Sequence, residues 1–336
     1  MGKEIRLSVE EIGGLAFDFL RFHGLSQEQA RAMADMLARA EQDGALSHGL
    51  RRLPGTLDTM AHPGFNRAAR PQAERVTPAV IRADADFGFS AAAAMAGLPM
   101  LCEAAGTLGL GLLAVRNGFH STALWPVVEA IAERGLVGMS MNPTHAWVAP
   151  AGGREPVLGT NPLAFAWPRP GHPPYVFDLA TTAAARAEIA RYRQEGRPVP
   201  EGWGLDPGGI PTTDPAQVLA GVMLPFGGHK GSAIATMIEL MAGPMIGDRT
   251  SLQSGEFGAG HDAAPCHGEL ILAFDPALLS GGEDHTAAAE DLFARITVQG
   301  ARLPGMRRHE TRARNLRESI PVDHALIERI RGLMGG

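Results

Sequence analysis

The stretch Phe226-Gly227-Gly228-His229-Lys230-Gly231-Ser232 decides how a nucleotide can be held, and with it the fold. It runs into Ser232 to Met245, whose apolar spacing predicts a helix. Glycines let the backbone approach an anion, the amino end of a helix favours negative charge, and Lys230 adds a point charge. A P-loop needs Gly-Lys followed at once by Ser or Thr, and here Gly231 intervenes. The dinucleotide fingerprint Gly-x-Gly-x-x-Gly follows no predicted strand; Gly109-x-Gly111 lies before and within one and lacks the third glycine. A Rossmann fold therefore has almost no support. Alone, the stretch also fits a glycine-rich turn that caps a helix.

Outward from it, strands alternate with helices. Ser8 and Glu11 form a capping box. In the helix that follows, Ile12, Leu15, Phe17, Leu20 and Phe22 line a broad apolar face, and Gly24 stops it. Ser26 restarts a helix, with Ala30, Met33, Met36, Leu37 and Ala40 at helical spacing, which ends near Gly44 and leaves Ser47 and His48 on or just after a turn. Residues 54–78 are rich in Pro and Gly and read as loop, and 196–215, with many Gly and Pro, read as an irregular connection. Further helices are predicted over Ala91–Ala105 and Leu124–Arg134. Strands are predicted over Val80–Ala83, Leu110–Val115, Val137–Met141, Leu163–Ala166, Tyr175–Leu179 and Leu270–Phe274, with 142–175 alternating turns and short strands and the chain after Phe274 mostly helical. The mixture implies an α/β or α+β protein.

Composition narrows the function. A formal net charge of −6 over 336 residues argues against nucleic acid as a partner. Two cysteines, Cys102 and Cys266, imply no disulfide framework and fit a reducing compartment. Met1–Glu11 has no signal-like apolar core, and no uncharged apolar run approaches the roughly 20 residues of a bilayer span. The expectation is a soluble, cytoplasmic protein without a membrane partner.

Ser47-His48-Gly49-Leu50-Arg51-Arg52 joins a side chain suited to proton transfer near neutral pH, a hydroxyl that can orient it, and an arginine that can grip a carboxylate. Arg302, Arg307, Arg308, Arg312, Arg314 and Arg317 form a basic run that reads as a solvated helix face or as a site for the extra phosphate of NADP. The twelve histidines show no zinc spacing, so no metal is expected, and Gly-x-Ser-x-Gly is missing.

Taken together, Ser47-His48-Gly-x-x-Arg52, Gly159-Thr160-Asn161-Pro162, Asp178-Leu179-Ala180-Thr181 and Gly227-Gly228-His229-Lys230-Gly231 resemble the malate/L-lactate dehydrogenase-like oxidoreductases, over nearly the whole chain. His120-Ser-Thr-Ala-Leu124-Trp125-Pro126 is similar to the Δ1-piperideine-2-carboxylate/Δ1-pyrroline-2-carboxylate reductases of that family. The resemblance implies a non-Rossmann fold: a discontinuous helical and sheet-bearing body, 1–115 with 225–336, and an inserted NAD(P)-binding α/β unit, 116–224. It implies a homodimer. It places NADPH, with NADH left open, against His120, Ser121, Thr122, Ala123, Leu124, Asp178, Leu179, Ala180, His229, Lys230, and Gly305, Met306, Arg307, Arg308, His309, Glu310 and Thr311. Arg52, Thr160, Arg186 and Ala187 would contact substrate, and Ser47, His48 and Glu188 would form a proton relay. Two positions depart from the reductases: Glu188 stands where they carry Asp, and Arg186 where they carry His.

The implied reaction is reduction of a cyclic ketimine carboxylate to L-proline or L-pipecolate, an oxidation–reduction at the CH–NH group. His48 would protonate nitrogen and Arg52 bind the carboxylate. Three alternatives stand beside it: a malate/L-lactate-type 2-hydroxy acid dehydrogenase, a pyridoxal phosphate enzyme using Lys230, and a non-catalytic binding protein.

Overall fold

The computed structural model describes residues 4–335; Met1–Lys3 of the amino-terminal stretch lie outside them. After β1 (Glu4–Leu7), the Ser8–Glu11 capping box opens α1 (Val9–Phe22), with Glu11 N donating to Ser8 Oγ at 3.1 Å and Ser8 N to Glu11 Oε2 at 2.7 Å. The buried face of α1 is Ile12, Ala16, Phe19 and Leu20; Phe22, expected on it, is 61% exposed. In α2 (Gln27–Gln42) all five residues of the predicted stripe are buried. Residues 54–78 are loop only in part, chiefly over 62–71. They supply most of α3 (Leu53–Ala61) and all of β2 (Gln72–Thr77). Pro54 sits in the first turn of α3, where a missing N–H loses no helical bond.

The chain continues through β3 (Val80–Asp84), α4 (Ser90–Leu108), β4 (Leu110–Phe119), α5 (Trp125–Ala132), β5 (Val137–Met141), β6 (Leu163–Trp167) and β7 (Tyr175–Leu179). The sequence reading missed α6 (Arg186–Gln194); β8 (Gly204–Leu205), α7 (Pro215–Ala220) and β9 (Val222–Met223) follow. α8 (His229–Ala242) begins three residues earlier than predicted, so His229 and Lys230 lie in its first turn. Then come α9 (Ser251–Gly258), β10 (Cys266–Phe274), α10 (Pro276–Leu279), α11 (His285–Thr297), α12 (Met306–Glu318), β11 (Ile320–Asp323) and α13 (His324–Leu333).

The main sheet has seven strands in the order β2-β3-β4-β10-β5-β6-β7, antiparallel except for β3–β4. Side chains alternate along each strand. Ile271 and Ala273 of β10 join the large core that includes Leu98 and Leu101 of α4, while Leu270 and Leu272 pack with Ile238 and Ala242 of α8. The sheet thus lies between helical layers. α4 is long and apolar enough to cross a bilayer by length and composition; half of it is buried, and it packs on the sheet and α2.

β1 pairs with β11, which ties the two ends of the chain together. The middle segment has its own core around Val148, Leu158, Ile189, Val199, Val218 and Met223. The boundary expected at 115/116 falls inside β4, and β10 from the carboxyl-terminal segment lies between β4 and β5. The two expected units therefore share one unbroken sheet, because β10 hydrogen-bonds to both sides.

Candidate active site

α2 ends at Gln42, and two short 3-10 turns, Leu46–His48 and Leu50–Arg52, carry the first candidate group. Between them, Leu50 N donates to the buried Glu41 Oε1 at 2.8 Å. A Cβ on Gly49 would lie 2.3 Å from that oxygen, so only glycine fits there. Ser47 Oγ is 3.0 Å from His48 Nδ1, and Arg52 Nε donates to Ser47 O at 3.0 Å. The His48 ring meets Trp125 edge-on at 6.2 Å. Burial pushes the His48 imidazole down to about 4, helped by the positive charge of Arg52 and His120. Burial also weakens the hold of Arg52 on its proton, and among the described residues Arg52 has no ion-pair partner.

A second group converges from three distant segments. Asp178, at the end of β7, accepts from Leu124 N at 2.9 Å and Trp125 N at 3.1 Å. Its carboxyl is raised by burial, against the pull of these two bonds and of Arg308 and His120. Arg308 lies 4.6 Å over the Trp125 ring, and its Nη1 is buried without a hydrogen-bond partner. Gly305 is the amino-terminal cap of α12, whose first turns carry Met306, exposed Arg307, Arg308, His309, exposed Glu310 and Thr311. His309 Nε2 is 2.9 Å from Pro174 O. α12 is clamped to α2 and α5 by Arg312, which bonds Asp43 at 2.6 Å and Glu129 at 2.7 Å. An orphaned buried guanidinium nitrogen over an indole suits an anionic, ring-bearing cofactor such as a nicotinamide dinucleotide.

His120 is held by Ser90 Oγ at 2.9 Å from Nδ1 and Thr122 O at 2.9 Å from Nε2. Glu269 Oε2 lies 3.6 Å from Nδ1, Ser140 donates to Glu269 at 2.7 Å, and the His267 ring stacks 5.7 Å from His120. Sequence reasoning missed Ser90, Glu269 and His267. The available signal was a histidine and a glutamate, His267 and Glu269, in the otherwise largely apolar run of β10.

The third group surrounds Thr160, whose hydroxyl is 3.0 Å from Thr144 Oγ1 and whose carbonyl accepts from Thr181 N at 2.8 Å. His145 follows Thr144 and stacks 4.6 Å from Trp147, which lies 4.3 Å under Arg186. His145 was also missed. It is pushed down to about 4 by burial and by the charges of Arg186 and Arg52. Leu179 and Ala187 are exposed, and Ala180 is half-buried beside Thr181. The turn before α8 abuts this group, with Phe226 N donating to Thr181 O at 3.0 Å. A Cβ on Gly231 would lie 2.2 Å from Phe226 O and 3.1 Å from Thr181 O. Gly231→Ala should therefore shift the turn, lowering stability by about 1–3 kcal/mol and weakening cofactor affinity; an unchanged Tm and Kd would contradict this. His229 and Lys230 face solvent. Glu188 pairs with Arg191 at 3.7 Å, and no hydrogen bond links it to Ser47 or His48 among the described residues.

His48, His145 and His267 are each held below the ordinary imidazole range, His267 at about 3, chiefly by burial. Each is neutral when folded and binds a proton more readily when unfolded. Their contribution is complete above pH 6.5 and is lost as pH falls from there toward 4 or 3. Each should remove about 1.4 kcal/mol of stability per pH unit across that window. His267→Gln should flatten the fall of Tm on acidification; an unaltered slope would contradict it.

The sequence signature of the malate/L-lactate dehydrogenase family matches residues 7–331. The chain belongs to that family. It is 49% identical over 336 residues to the Δ1-pyrroline-2-carboxylate reductase of Pseudomonas fluorescens, covering 99% of this chain and all of that one. It is 47% identical over 332 residues to the Δ1-pyrroline-2-carboxylate/Δ1-piperideine-2-carboxylate reductase of Pseudomonas aeruginosa, covering 98% and 99% of the two chains. Among solved structures of the family, the Δ1-piperideine-2-carboxylate reductase of Pseudomonas syringae superposes with a TM-score of 0.94 at 38% identity, covering 98% of this chain and 99% of that one. The non-Rossmann α/β fold expected from the sequence is thus the fold of the family.

Proposed function

We propose that this family member is an NADPH-dependent reductase of Δ1-pyrroline-2-carboxylate and Δ1-piperideine-2-carboxylate, yielding L-proline and L-pipecolate. The observation that carries the reading is the half-buried His48, bonded by Ser47 and set beside Arg52, which has no ion-pair partner among the described residues, in a chain 49% identical to a reductase of that class.

Arg52 takes the substrate carboxylate in a charge-assisted pair, and Thr160 fixes its angle. Arg186 and Ala187 border the ring. Ser47 occupies His48 Nδ1, so the proton for the imine nitrogen leaves from Nε2. Before substrate arrives, the Arg52 charge disfavours protonation of His48. A bound carboxylate offsets that charge and lets His48 take up the proton it donates. Glu188 completes the relay from the first turn of α6. Its pair with Arg191 is solvent-exposed and of little strength, so it can exchange Arg191 for the imidazole.

Residues 120–124, 178–180, 229–230 and 305–311 hold the cofactor, with Arg307 and Arg308 selecting NADPH over NADH through the extra phosphate. Bound there, the reduced nicotinamide supplies the hydride for the imine carbon. The enzyme works in the cytoplasm as a homodimer; exposed Met237, Leu240, Met245 and Leu252 on and beyond α8 offer an apolar face for a second copy. The domain division is a cofactor-holding middle segment within a body made from both ends.

Reduction with NADPH deuterated at the transferable position tests the reading. The product should carry deuterium at its α-carbon, and proline or pipecolate without that label would overturn it.

A further inference from the structure

Glu239 is 5% exposed and lies near the carboxyl end of α8, where a carboxylate opposes the helix dipole. Among the described residues it is met by hydrogen-bond donors rather than by a cation. Its Oε1 accepts from Gly159 N at 3.2 Å, Asn161 Nδ2 at 2.8 Å and Ser251 Oγ at 2.5 Å, and its Oε2 accepts from Ser251 N at 2.8 Å. A buried carboxylate is costly unless such donors surround it. Asn161 Nδ2 also donates to Ala235 O at 3.1 Å, so the same helix holds this side chain twice.

Gly159 and Asn161 flank Thr160. A Cβ on Gly159 would lie 2.4 Å from both Asn161 Oδ1 and Thr144 Oγ1. Asn161 has a φ of 34°, in the left-handed region, which asparagine tolerates better than most residues. Ser251, the first residue of α9, accepts from Thr144 N through its Oγ at 3.3 Å. Thr144 Oγ1 in turn accepts from Thr160 N at 2.8 Å and lies 3.0 Å from Thr160 Oγ1. Glu239 thus reaches the Thr160 hydroxyl by two routes, through the backbone turn and through Ser251 and Thr144. Lys230 is on the same helix, roughly 14 Å away along its axis.

We propose that Glu239 is a positioning residue, which sets the Thr160 hydroxyl toward the substrate carboxylate and ties it to the helix whose first turn meets the cofactor. The inference rests on the reading of Thr160 as a contact of the imine substrate. Glu239 acts through Thr160 and has no substrate contact of its own.

Steady-state reduction of Δ1-pyrroline-2-carboxylate by wild type, Glu239→Gln, Thr160→Val and the double variant tests it. Glutamine keeps the shape, but either orientation of its amide turns N–H toward fixed N–H donors, Gly159 N and Asn161 Nδ2 on one side or Ser251 N on the other. Glu239→Gln should raise KM for the imine about tenfold, the loss of one substrate hydrogen bond, with kcat within about threefold and the Kd of NADPH within about twofold. Thr160→Val should do the same. The double variant should be no worse than Thr160→Val, because a residue that acts through another has no effect once that other is gone. Ser251→Ala removes one donor and leaves the carboxylate, and so serves where Glu239→Gln does not fold. It should raise KM about two- to fivefold, with no further rise when Thr160 is already valine. Effects that multiply in the double variants, or an unchanged KM in Glu239→Gln or, failing that, in Ser251→Ala, would overturn the positioning role and leave Thr160 a substrate contact. An unchanged KM in Thr160→Val would overturn the reading of Thr160 and the inference with it. Failure of wild type to reduce the imine at all would overturn the ketimine reading on which both stand.

Discussion

Replacing His48 with alanine should lower kcat for imine reduction by about 10²–10⁴-fold, the usual contribution of a positioned general acid. Cofactor affinity should change by less than about twofold, because the ring contact of His48 on that side is edge-on to Trp125, beside the proposed cofactor residues and not among them. An imine nitrogen that stays unprotonated is a poor hydride acceptor, so the loss falls on the chemical step. The pH profile gives an independent signature. The free imidazole is pushed down to about 4, so kcat/KM for reduction should fall as pH rises above that value. Ser47→Ala should shift the profile without abolishing turnover, since it removes the bond to Nδ1 and leaves the ring. Near wild-type kcat in His48→Ala would show that another group donates the proton.

Arg52→Ala should act on binding. A charge-assisted hydrogen bond contributes about 1.5–3 kcal/mol, and tenfold in affinity corresponds to about 1.4 kcal/mol. Loss of a two-bond carboxylate pair should raise KM by roughly 10²-fold or more. Lysine at this position should recover only part of the loss, because a point charge cannot make two parallel bonds. The same substitution removes a positive charge acting on His48, so the imidazole should titrate at higher pH in Arg52→Ala, readable by NMR. An unchanged KM would remove Arg52 from the substrate site.

The local signals in the sequence were strong where one short segment carries the whole instruction. The Ser8–Glu11 capping box, the apolar stripe of α2 and the 3-10 turn at His48 are of this kind. The reading failed where context reverses a residue's usual meaning. Pro54 starts a helix that its composition disguised as loop, and α6, with Ile189 its single buried residue, has no apolar stripe to announce it. Strand order is a long-range property that no local signal carries: β10 enters between β4 and β5 from about 150 residues downstream of β4, and position 115/116 falls inside β4. Within the site, Ser47, His48 and Arg52 were legible as neighbours in sequence. Asp178, Arg308 and Trp125 meet only in three dimensions, and came from the resemblance to the family. Glu269, His267 and His145 carry no sequence signal strong enough to single out, because each becomes meaningful only beside His120 or Arg186.

The most direct measurement is NADPH oxidation with Δ1-pyrroline-2-carboxylate, Δ1-piperideine-2-carboxylate, pyruvate and oxaloacetate, compared side by side. The imines should turn over rapidly and the oxo acids little or not at all. Turnover of pyruvate or oxaloacetate alone would contradict this, leaving the family and the fold intact but assigning the His48–Arg52 site to a 2-hydroxy acid dehydrogenase.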